Sequence, residues 1–367
     1  MGSIQAKDTS NNSFVLQVDR SFAFEARERP VLPSPNYVLV RVIATGLCGS
    51  DVHYWKHGAI GEFKVENPII LGHESAGIIE ECGSEVRSLS PGDRVALEPG
   101  DPCRTCKFCR GGKYNLCPFM KFAATPPYNG TLCRYYALPE DFCFKLPEHV
   151  SFEEGALVEP LSVAVHSVKL AGICPGASVF ILGAGPIGVL CAAVARAFGV
   201  STILVADIVQ SRLDFAQSYA ATHTSLISAD SPELQGLEVQ TKADISDGFD
   251  FVIDATGVES CIRCGVAALA RGGTFVQVGM GKSDISYPVG IFASKEATYK
   301  SSFRYGAGDY GLAIELIKTG KVSVKELITH HYRFEDSERA FEGVSNRLGI
   351  KSVIYGPDIE VDSNKMR

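Results

Sequence analysis

Four cysteines on one short segment have the spacing of metal ligands. Two, two and seven residues separate successive members of the set, which comprises Cys103, Cys106, Cys109 and Cys117. Four thiolates are what tetrahedral zinc requires in a closed, structural site, and unrelated cytosolic thiols rarely share this spacing. The segment therefore predicts a structural zinc. A further pair, Cys261 and Cys264, has no second pair nearby and falls in a predicted helix, so we assign it a packing role.

A second set of possible ligands is spread over the first half of the chain. Cys48 lies in a Gly-rich turn, His73 and Glu74 lie together in another turn, and Glu159 precedes a proline. Taken singly, each of these residues is as readily structural as functional. A cysteine, a histidine and a carboxylate together can bind zinc and leave one position exchangeable. A substrate oxygen can be polarised at such a position, so this set predicts the catalytic centre.

Two residues that follow Cys48 can carry a proton away from this centre. Ser50 offers a hydroxyl and His53 an imidazole, and the two together form a possible proton relay. The alternative for His53 is an ordinary surface histidine. We favour the relay because the hydroxyl is so close in sequence.

A G-x-G-x-x-G motif follows a predicted strand and opens a predicted helix. In that context the glycines allow a tight turn, and they let backbone N–H groups approach a pyrophosphate at the positive end of the helix. A plain tight turn is the alternative. The motif predicts a dinucleotide site at Gly183, Gly185, Pro186, Ile187 and Gly188.

The choice of dinucleotide depends on the end of the next predicted strand. Asp207 lies there, nineteen residues after Gly188. A carboxylate at this position binds the ribose hydroxyls of NAD and repels the 2′-phosphate of NADP, so we predict NAD. Arg212 follows about one helical turn later; it either approaches the adenine ribose or is a solvated helix charge.

The elements around these motifs indicate an α/β protein. The first half consists of short strands between Gly- and Pro-rich turns, as at 37–43, 75–80 and 92–97. From about residue 178 strands alternate with helices, which predicts a doubly wound parallel sheet. Its predicted strands are 178–182, 202–207, 249–254 and 273–278, and its first helix is 186–198. Beyond residue 295, a helix at 311–318 and a strand at 351–355 are expected to return to the first domain.

Composition limits the classes of function. The chain has 367 residues, 46% hydrophobic and 21% charged, with a formal charge of −7. The acidic balance and the absence of a long basic run argue against nucleic acid or anionic lipid as the main partner. The start, residues 1–13, is polar, and the apolar runs are too short for a bilayer. With metal-like cysteine spacing, these features predict a cytoplasmic protein that contacts no membrane.

With these residues assembled, the chain resembles the medium-chain zinc alcohol dehydrogenases. The likeness runs from about Ser13 to Gly356, and it is strongest to the polyol branch, which includes sorbitol and fungal xylitol dehydrogenases. The segments that carry it are 48–55 (CGSDVHYW), 71–77 (LGHESAG), 92–99 (GDRVALEP), 122–127 (FAATPP), 158–162 (VEPLS) and 303–306 (FRYG).

The resemblance implies a fold and residue roles. It implies a GroES-like catalytic domain over residues 1–160 and 296–367 around a Rossmann NAD-binding domain over 161–295. Cys48, His73 and Glu74 would surround the catalytic zinc, and Glu159, where plain alcohol dehydrogenases commonly have cysteine, would hold the zinc or its water. The substrate pocket would be lined by Tyr54, Phe122, Arg304 and Tyr305, although core packing is the alternative for Tyr54 and Phe122. The nicotinamide side would be formed by Val278, Gly279 and Met280, with Phe303 and Arg304 closing the cleft.

The resemblance also implies an activity and an assembly. We expect hydride transfer from a secondary hydroxyl of a polyol to NAD, with one catalytic and one structural zinc and a homo-oligomer, tetramer or dimer, as the working form. The same chemistry on another secondary alcohol is one alternative, and a catalytically silent protein that binds NAD and zinc is another. One departure is expected in the Rossmann domain: residues 228–248 look shorter and more polar than the usual helix-bearing connection.

Overall fold

A computed structural model describes residues 10–361 of the chain. The first nine residues of the polar start predicted at 1–13 therefore lie outside the described residues. Within the described range the chain divides into two compact units. The first unit contains the residues up to Arg110, those from Cys117 to Glu159 and those from Val324 onward; the second contains Gly111–Leu116 and Pro160–Ser323.

Twenty strands are present among the described residues. They are β1 (Asn11–Leu16), β2 (Phe22–Arg27), β3 (Tyr37–Gly46), β4 (Ala59–Ile60), β5 (Phe63–Lys64), β6 (Ile69–Ile70), β7 (Glu74–Cys82), β8 (Arg94–Leu97), β9 (Gly100–Asp101), β10 (Lys121–Phe122), β11 (Tyr135–Pro139), β12 (Cys143–Lys145), β13 (Ser178–Leu182), β14 (Thr202–Asp207), β15 (His223–Leu226), β16 (Phe249–Asp254), β17 (Leu269–Gln277), β18 (Thr298–Ser301), β19 (Ile328–Tyr332) and β20 (Lys351–Tyr355).

Eleven α-helices connect these strands in the described part of the chain. They are α1 (Gly49–His57), α2 (Lys107–Arg110), α3 (Phe152–Ala156), α4 (Val158–Ala171), α5 (Pro186–Ala197), α6 (Gln210–Tyr219), α7 (Pro232–Lys242), α8 (Glu259–Ala268), α9 (Val289–Ser294), α10 (Asp309–Lys318) and α11 (Ser337–Ser345). The predicted strands at 178–182, 202–207, 249–254 and 351–355 are confirmed to the residue.

The first unit is built on a seven-stranded sheet. The order of six strands is β12-β8-β7-β3-β20-β19, and β11 also pairs with β3. The sheet combines both ends of the chain, because β20 pairs antiparallel with β3 and places Val353 opposite Gly46. The predicted return of the tail to the first domain is therefore confirmed for this strand. It is wrong for the helix predicted at 311–318, because that helix is part of α10 (Asp309–Lys318) in the second unit.

The second unit contains a six-stranded parallel sheet in the order β15-β14-β13-β16-β17-β18. In chain order this is 3-2-1-4-5-6, the arrangement of Rossmann dinucleotide-binding folds. Its central strands are apolar because helices cover both faces: Val179, Phe180 and Ile181 of β13 are fully buried. The predicted fold class, α/β with a doubly wound parallel sheet, is confirmed.

The second unit continues past residue 295, where the sequence placed the end of the Rossmann domain. The continuation includes β18, which pairs parallel with β17 and adds the sixth strand, and it ends at Ser323. Hydrogen bonding to the sheet thus keeps residues 298–301 in this unit. The boundaries at 160/161 and 295/296 remain a proposal for the division into domains.

The segment 228–248 differs from expectation because it carries a full helix, α7. Its polar composition concealed the helix, since only Gly236 and Val239 are buried. A Cβ at Gly236 would lie 2.5 Å from the carbonyl oxygen of Cys264, so the glycine allows close packing of α7 on α8. A small buried stripe thus replaces the wide apolar face that usually marks a helix.

No described helix is both long enough and apolar enough to cross a membrane.

Candidate active site

Three of the predicted catalytic ligands converge in the first unit. Cys48, at the N-cap of α1, His73, just before β7, and Glu74, its first residue, each place one ligand atom within 4.8 Å of the others. Sulfur, imidazole nitrogen and carboxylate oxygen are the donors that zinc accepts. His73 and Glu74 are buried, whereas Cys48 is half-buried. The residues therefore fit a zinc ion that keeps an open position.

A fully buried carboxylate ties two of these ligands together. Asp51 accepts hydrogen bonds from the backbone N–H groups of Gly72 (2.9 Å) and Cys48 (3.3 Å), and its Oδ1 lies 3.4 Å from Nδ1 of His73. Burial disfavours a charged imidazole, but Asp51 and then Cys48 outweigh it and raise the pKa of His73 well above its usual value. The negative groups around this ring favour a positive charge there, which a bound dication would supply in place of the proton. A carboxylate on the second nitrogen is the usual support of a zinc-binding histidine.

A buried ion pair lies behind Glu74. Lys351, the first residue of β20, directs its Nζ to Oε2 of Glu74, and both side chains are at most 4% exposed. Burial lowers the pKa of a lysine, but Glu74 and Cys48 reverse the effect and raise the pKa of Lys351. A Cβ at Gly46 would lie 2.3 Å from Oε2 of Glu74, so a larger residue on the facing strand would displace this carboxylate. Lys351 neutralises a carboxylate that would otherwise be costly to bury.

Glu159 lies in the first turn of α4 and is buried. It is outside the group of mutually close ligand atoms formed by Cys48, His73 and Glu74. Its negative charge nevertheless contributes to the raised pKa of Lys351. The structure thus brings together three of the four predicted ligands and leaves Glu159 nearby.

The predicted relay residues lie on α1. Ser50 is half-buried and His53 is exposed, and the structure does not connect their side chains by a hydrogen bond. Burial and then the neighbouring His57 lower the pKa of His53. His53 is therefore mainly the neutral base at physiological pH, as a proton acceptor must be.

The two aromatic residues predicted for the pocket have different surroundings in the first unit. The Phe122 ring is 6.0 Å from the His73 ring, centroid to centroid, so it lies beside the ligand cluster. Tyr54 is 4% exposed and belongs to an apolar core with Leu47 and Phe341. Phe122 thus fits a pocket position, whereas Tyr54 takes part in core packing.

The four-cysteine segment folds into a compact cluster of sulfurs. Each Sγ is within 4.8 Å of the others, with 3.5 Å between Cys106 and Cys109. Backbone N–H groups point at the sulfurs: the N–H of Cys106 to Cys103 and the N–H of Cys103 to Cys117, both at 3.4 Å. Hydrogen bonds from the N–H groups of Cys106 and Thr105 lower the pKa of Cys103 to about 6, whereas burial and the neighbouring thiols raise that of Cys109 to about 12. The cluster fits a tetrahedral metal ion, since a dication makes four adjacent thiolates compatible.

The Gly-rich loop of the second unit runs from β13 into α5. Gly183 has φ +99°, and a Cβ at Gly188 would lie 1.8 Å from the carbonyl oxygen of Gly183, so both positions require glycine. A Cβ at Gly185 would meet no protein atom within 4 Å. Pro186 and Ile187 form the first turn of α5, whose N-cap is Gly185. The free space at the helix N-terminus fits a pyrophosphate.

Asp207 ends β14 beside this loop and is 9% exposed. Its carboxylate accepts the N–H of Ala184 at 2.7 Å and that of Val209 at 2.9 Å. Each carboxylate oxygen has a second lone pair available for a ribose hydroxyl. Arg212 is half-buried in the first turn of α6, and its role at the adenine ribose stays a prediction.

The predicted nicotinamide residues follow β17. Val278 and Gly279 are half-buried and Met280 is 69% exposed. Val278 and Gly279 donate their N–H groups to the carbonyl oxygen of Asp254. The Asp254 side chain also accepts bonds from Gly257 and Gln277, so it joins the ends of β16 and β17. Sequence reasoning missed this carboxylate, although an acidic residue at the end of an apolar strand is a recognisable signal.

The segment of Phe303, Arg304 and Tyr305 is held by a buried carboxylate of the second unit. Arg304 has φ +56° and its guanidinium lies 4.8 Å from the Phe303 ring centroid, while Tyr305 is buried. Asp309 accepts the N–H of Gly306 at 2.8 Å and pairs with His166 (2.7 Å) and Lys169 (2.6 Å). Sequence reasoning missed Asp309, because its partners lie about 140 residues away.

Comparison with known proteins places these features in one family. Residues 34–148 match the model of the alcohol dehydrogenase GroES-like domain, and residues 186–319 match that of the zinc-binding dehydrogenases. The chain is 53% identical over 356 residues to D-xylulose reductase A of Aspergillus niger, covering 97% of this chain and 99% of that protein.

Solved structures agree with these matches. A dehydrogenase of unknown specificity from Escherichia coli superimposes with a TM-score of 0.87 at 37% identity, covering 95% of this chain and 100% of that one. L-idonate 5-dehydrogenase from Escherichia coli superimposes with a TM-score of 0.85 at 28% identity, covering 94% and 98%.

Proposed function

The chain belongs to the zinc-binding alcohol dehydrogenase family, and on that premise we propose that it oxidises a secondary hydroxyl of a polyol of the xylitol type to a ketose. Its cofactors are zinc and NAD. The observation that carries the proposal is the convergence of Cys48, His73 and Glu74 in a chain that also has the Gly-rich loop of a dinucleotide site. Its relatives' activity on D-xylulose supports the substrate class.

In the proposed reaction the substrate carbon gives a hydride to the nicotinamide ring and the hydroxyl gives up its proton. The products are a ketose, NADH and a proton. Bound zinc supplies Lewis-acid chemistry that polarises the substrate oxygen. We assign its binding to Cys48, His73 and a carboxylate, Glu74 or Glu159. Asp51 fixes the orientation of the His73 ring, and Lys351 compensates the charge of Glu74.

The proton leaves through Ser50 and His53 in this scheme. A neutral imidazole is required to accept it, and the lowered pKa of His53 keeps the ring in that form. For the substrate pocket we propose Phe122, because it lies beside His73. The pocket roles of Arg304 and Tyr305 stay predictions from the family resemblance, whereas Tyr54 is part of an apolar core. The second cluster, Cys103 to Cys117, is proposed to hold a structural zinc.

The dinucleotide is proposed to bind the second unit through the N-terminus of α5 and through Asp207. Asp207→Ala removes the carboxylate that repels a 2′-phosphate. We expect the ratio of kcat/KM for NAD to that for NADP to fall at least about tenfold, a change of ~1.4 kcal/mol. Asp214→Ala, which removes an exposed carboxylate of α6, is the control. An unchanged ratio in Asp207→Ala would contradict the assigned role.

The substrate proposal is tested by initial rates of NADH formation. Xylitol, sorbitol, L-arabinitol and simple secondary alcohols are compared, with NADP in parallel. Rapid NAD-dependent oxidation of xylitol or sorbitol is the expected result. If zinc-replete, folded protein oxidises none of the polyols but oxidises another alcohol, the proposed substrate class is wrong, whereas the proposed zinc- and NAD-dependent oxidation still holds.

We also propose that the working enzyme is a cytoplasmic homo-oligomer. Among the described residues β18 pairs only with β17, so one edge of the parallel sheet is open, and Tyr299 on it is 45% exposed. An open edge readily pairs with a second copy. Sedimentation velocity of the holoenzyme should give a dimer or tetramer; a monomer at assay concentration would contradict this. None of the twelve cysteines, all of which lie within residues 10–361, forms a disulfide, and this supports a reducing compartment.

A further inference from the structure

Two histidines lie one helical turn apart on α1. His53 and His57 occupy positions i and i+4, which place side chains on the same helix face. Their ring centroids are 4.5 Å apart and their ring planes meet at 48°. Both side chains are exposed. The helix thus presents a pair of adjacent imidazoles to solvent.

These two imidazoles differ from most histidines of the chain, which are engaged with protein groups. Five of the eight histidines have a polar side-chain partner: His73 with Asp51, His166 with Asp309, His223 with Thr222, His330 with Thr329 and His331 with Tyr355. Within residues 10–361, neither His53 nor His57 has a hydrogen bond to a protein group. Their ring nitrogens are therefore available to an external ligand.

We propose that His53 and His57 bind a further divalent cation of the zinc class, at a site that shares no ligand with the two zinc sites proposed above. Two histidines at i and i+4 on a helix form a known zinc-binding pair. Zinc–nitrogen bonds of about 2.0–2.1 Å bring the two ring nitrogens close together, and the separation of the rings permits this. Water completes the coordination.

Binding at this site has a consequence for catalysis. A nitrogen of His53 that ligates a cation cannot accept a proton, so occupancy withdraws His53 from the proton relay. The neutral imidazole that a metal requires is also the form that the lowered pKa of His53 favours. An excess of zinc should therefore inhibit the enzyme. This inhibitory half of the inference rests on the proposed role of His53; the binding half does not.

Zinc binding to the zinc-replete enzyme tests the inference. Wild type, His57→Asn and the control His149→Asn, which removes a lone exposed histidine, are dialysed against a series of free zinc concentrations, and bound zinc is counted by mass spectrometry. Wild type and His149→Asn should bind one zinc more than the two resident ions. The affinity for that ion should fall at least about tenfold in His57→Asn.

Rates of polyol oxidation are measured in the same samples. The rates are measured at alkaline pH, where His53 is neutral with or without His57. Without added zinc, His57→Asn should then match wild type; with added zinc, wild type and His149→Asn should lose activity and His57→Asn should keep it. The site would be overturned if wild type bound no additional zinc ion, or if His57→Asn bound the additional ion as tightly as wild type. A third result is that wild type binds the additional ion and His57→Asn does not, but added zinc does not inhibit wild type. This result would support the metal site and overturn the relay role of His53.

Discussion

The two ligand clusters of the first unit are built in opposite ways. The four cysteines lie on one segment of fifteen residues, Cys103 to Cys117, and backbone N–H groups of the same segment point at their sulfurs. The other cluster joins Cys48 to His73 and Glu74, and its buried counter-charge, Lys351, comes from the far end of the chain. A local cluster can stabilise its own loop, whereas an assembled cluster depends on the whole sheet around it.

The donors of the two clusters also differ. Four thiolates fill a tetrahedral zinc site and leave no position for substrate. A thiolate, an imidazole and a carboxylate already paired with Lys351 leave a position open. We therefore propose that one cluster carries out catalysis and that the other stabilises the fold. Separate substitutions in the two clusters test this proposal.

The largest effect is expected from Cys48→Ser. Losing a ligand of the catalytic cluster should remove the polarising metal, which contributes several kcal/mol to the transition state, so kcat/KM for the polyol should fall about 10³-fold or more. The melting temperature should change little. Cys82→Ser, a half-buried cysteine outside both clusters, is the control. Near-normal turnover in Cys48→Ser would show that Cys48 is not part of the catalytic centre.

Cys103→Ser should have the opposite profile. A structural zinc contributes directly to folding, and three thiolates hold it less well than four. We expect a loss of several kcal/mol in stability, at about 2–4 °C of melting temperature per kcal/mol for a large domain. The protein that stays folded should keep most of its kcat. If Cys48→Ser and Cys103→Ser lose activity equally and have the same melting temperature, the proposed division between a catalytic and a structural cluster is wrong.

Lys351→Met tests whether the assembled cluster depends on its distant counter-charge. Removing one partner of a buried ion pair leaves an uncompensated charge, at a cost of about 3–5 kcal/mol. Chemical denaturation measures this loss. The double variant Glu74→Gln/Lys351→Met, which removes both charges, should recover part of it. If Lys351→Met is as stable as wild type, the buried pair does not matter to the fold.

The smallest effect is expected from Asp51→Asn. The amide keeps a hydrogen-bond acceptor for the N–H of Gly72 but loses the charge that orients His73. Loss of such support typically weakens metal affinity about 10–100-fold. Zinc competition with a chromophoric chelator measures the change at the catalytic cluster. The affinity of the four-cysteine cluster should stay unchanged in the same titration, and a parallel loss there would point to general unfolding.

The same contrast explains what the sequence could predict. The four-cysteine site and the Gly-rich loop depend on short spacings, and β13, β14 and β16 have apolar runs bounded by turns, so all of these were predictable. The catalytic set was predicted from its residue types and supported by the family resemblance, but no short spacing gives the proximity of Cys48 to His73, because that proximity depends on the pairing of β3 with β7.

Other features depend on partners that a sequence does not reveal. Lys351 opens a buried strand, which is a signal of a paired charge, yet nothing in the sequence identifies Glu74 as its partner. Asp309 is likewise recognised only through His166 and Lys169. The helix α7 was missed because its buried stripe is a single glycine and a valine, too narrow to give a helical pattern.

Stepwise removal of zinc tests the central claim most directly. The holoenzyme is treated with a chelator, and zinc content, NAD-dependent polyol oxidation and melting temperature are followed together. We predict two zinc ions per chain; loss of one of them should abolish oxidation while the melting temperature holds, and added zinc should restore the rate. Full activity in protein that has lost that ion, or has lost both, would contradict the assignment of catalysis to Cys48, His73 and Glu74.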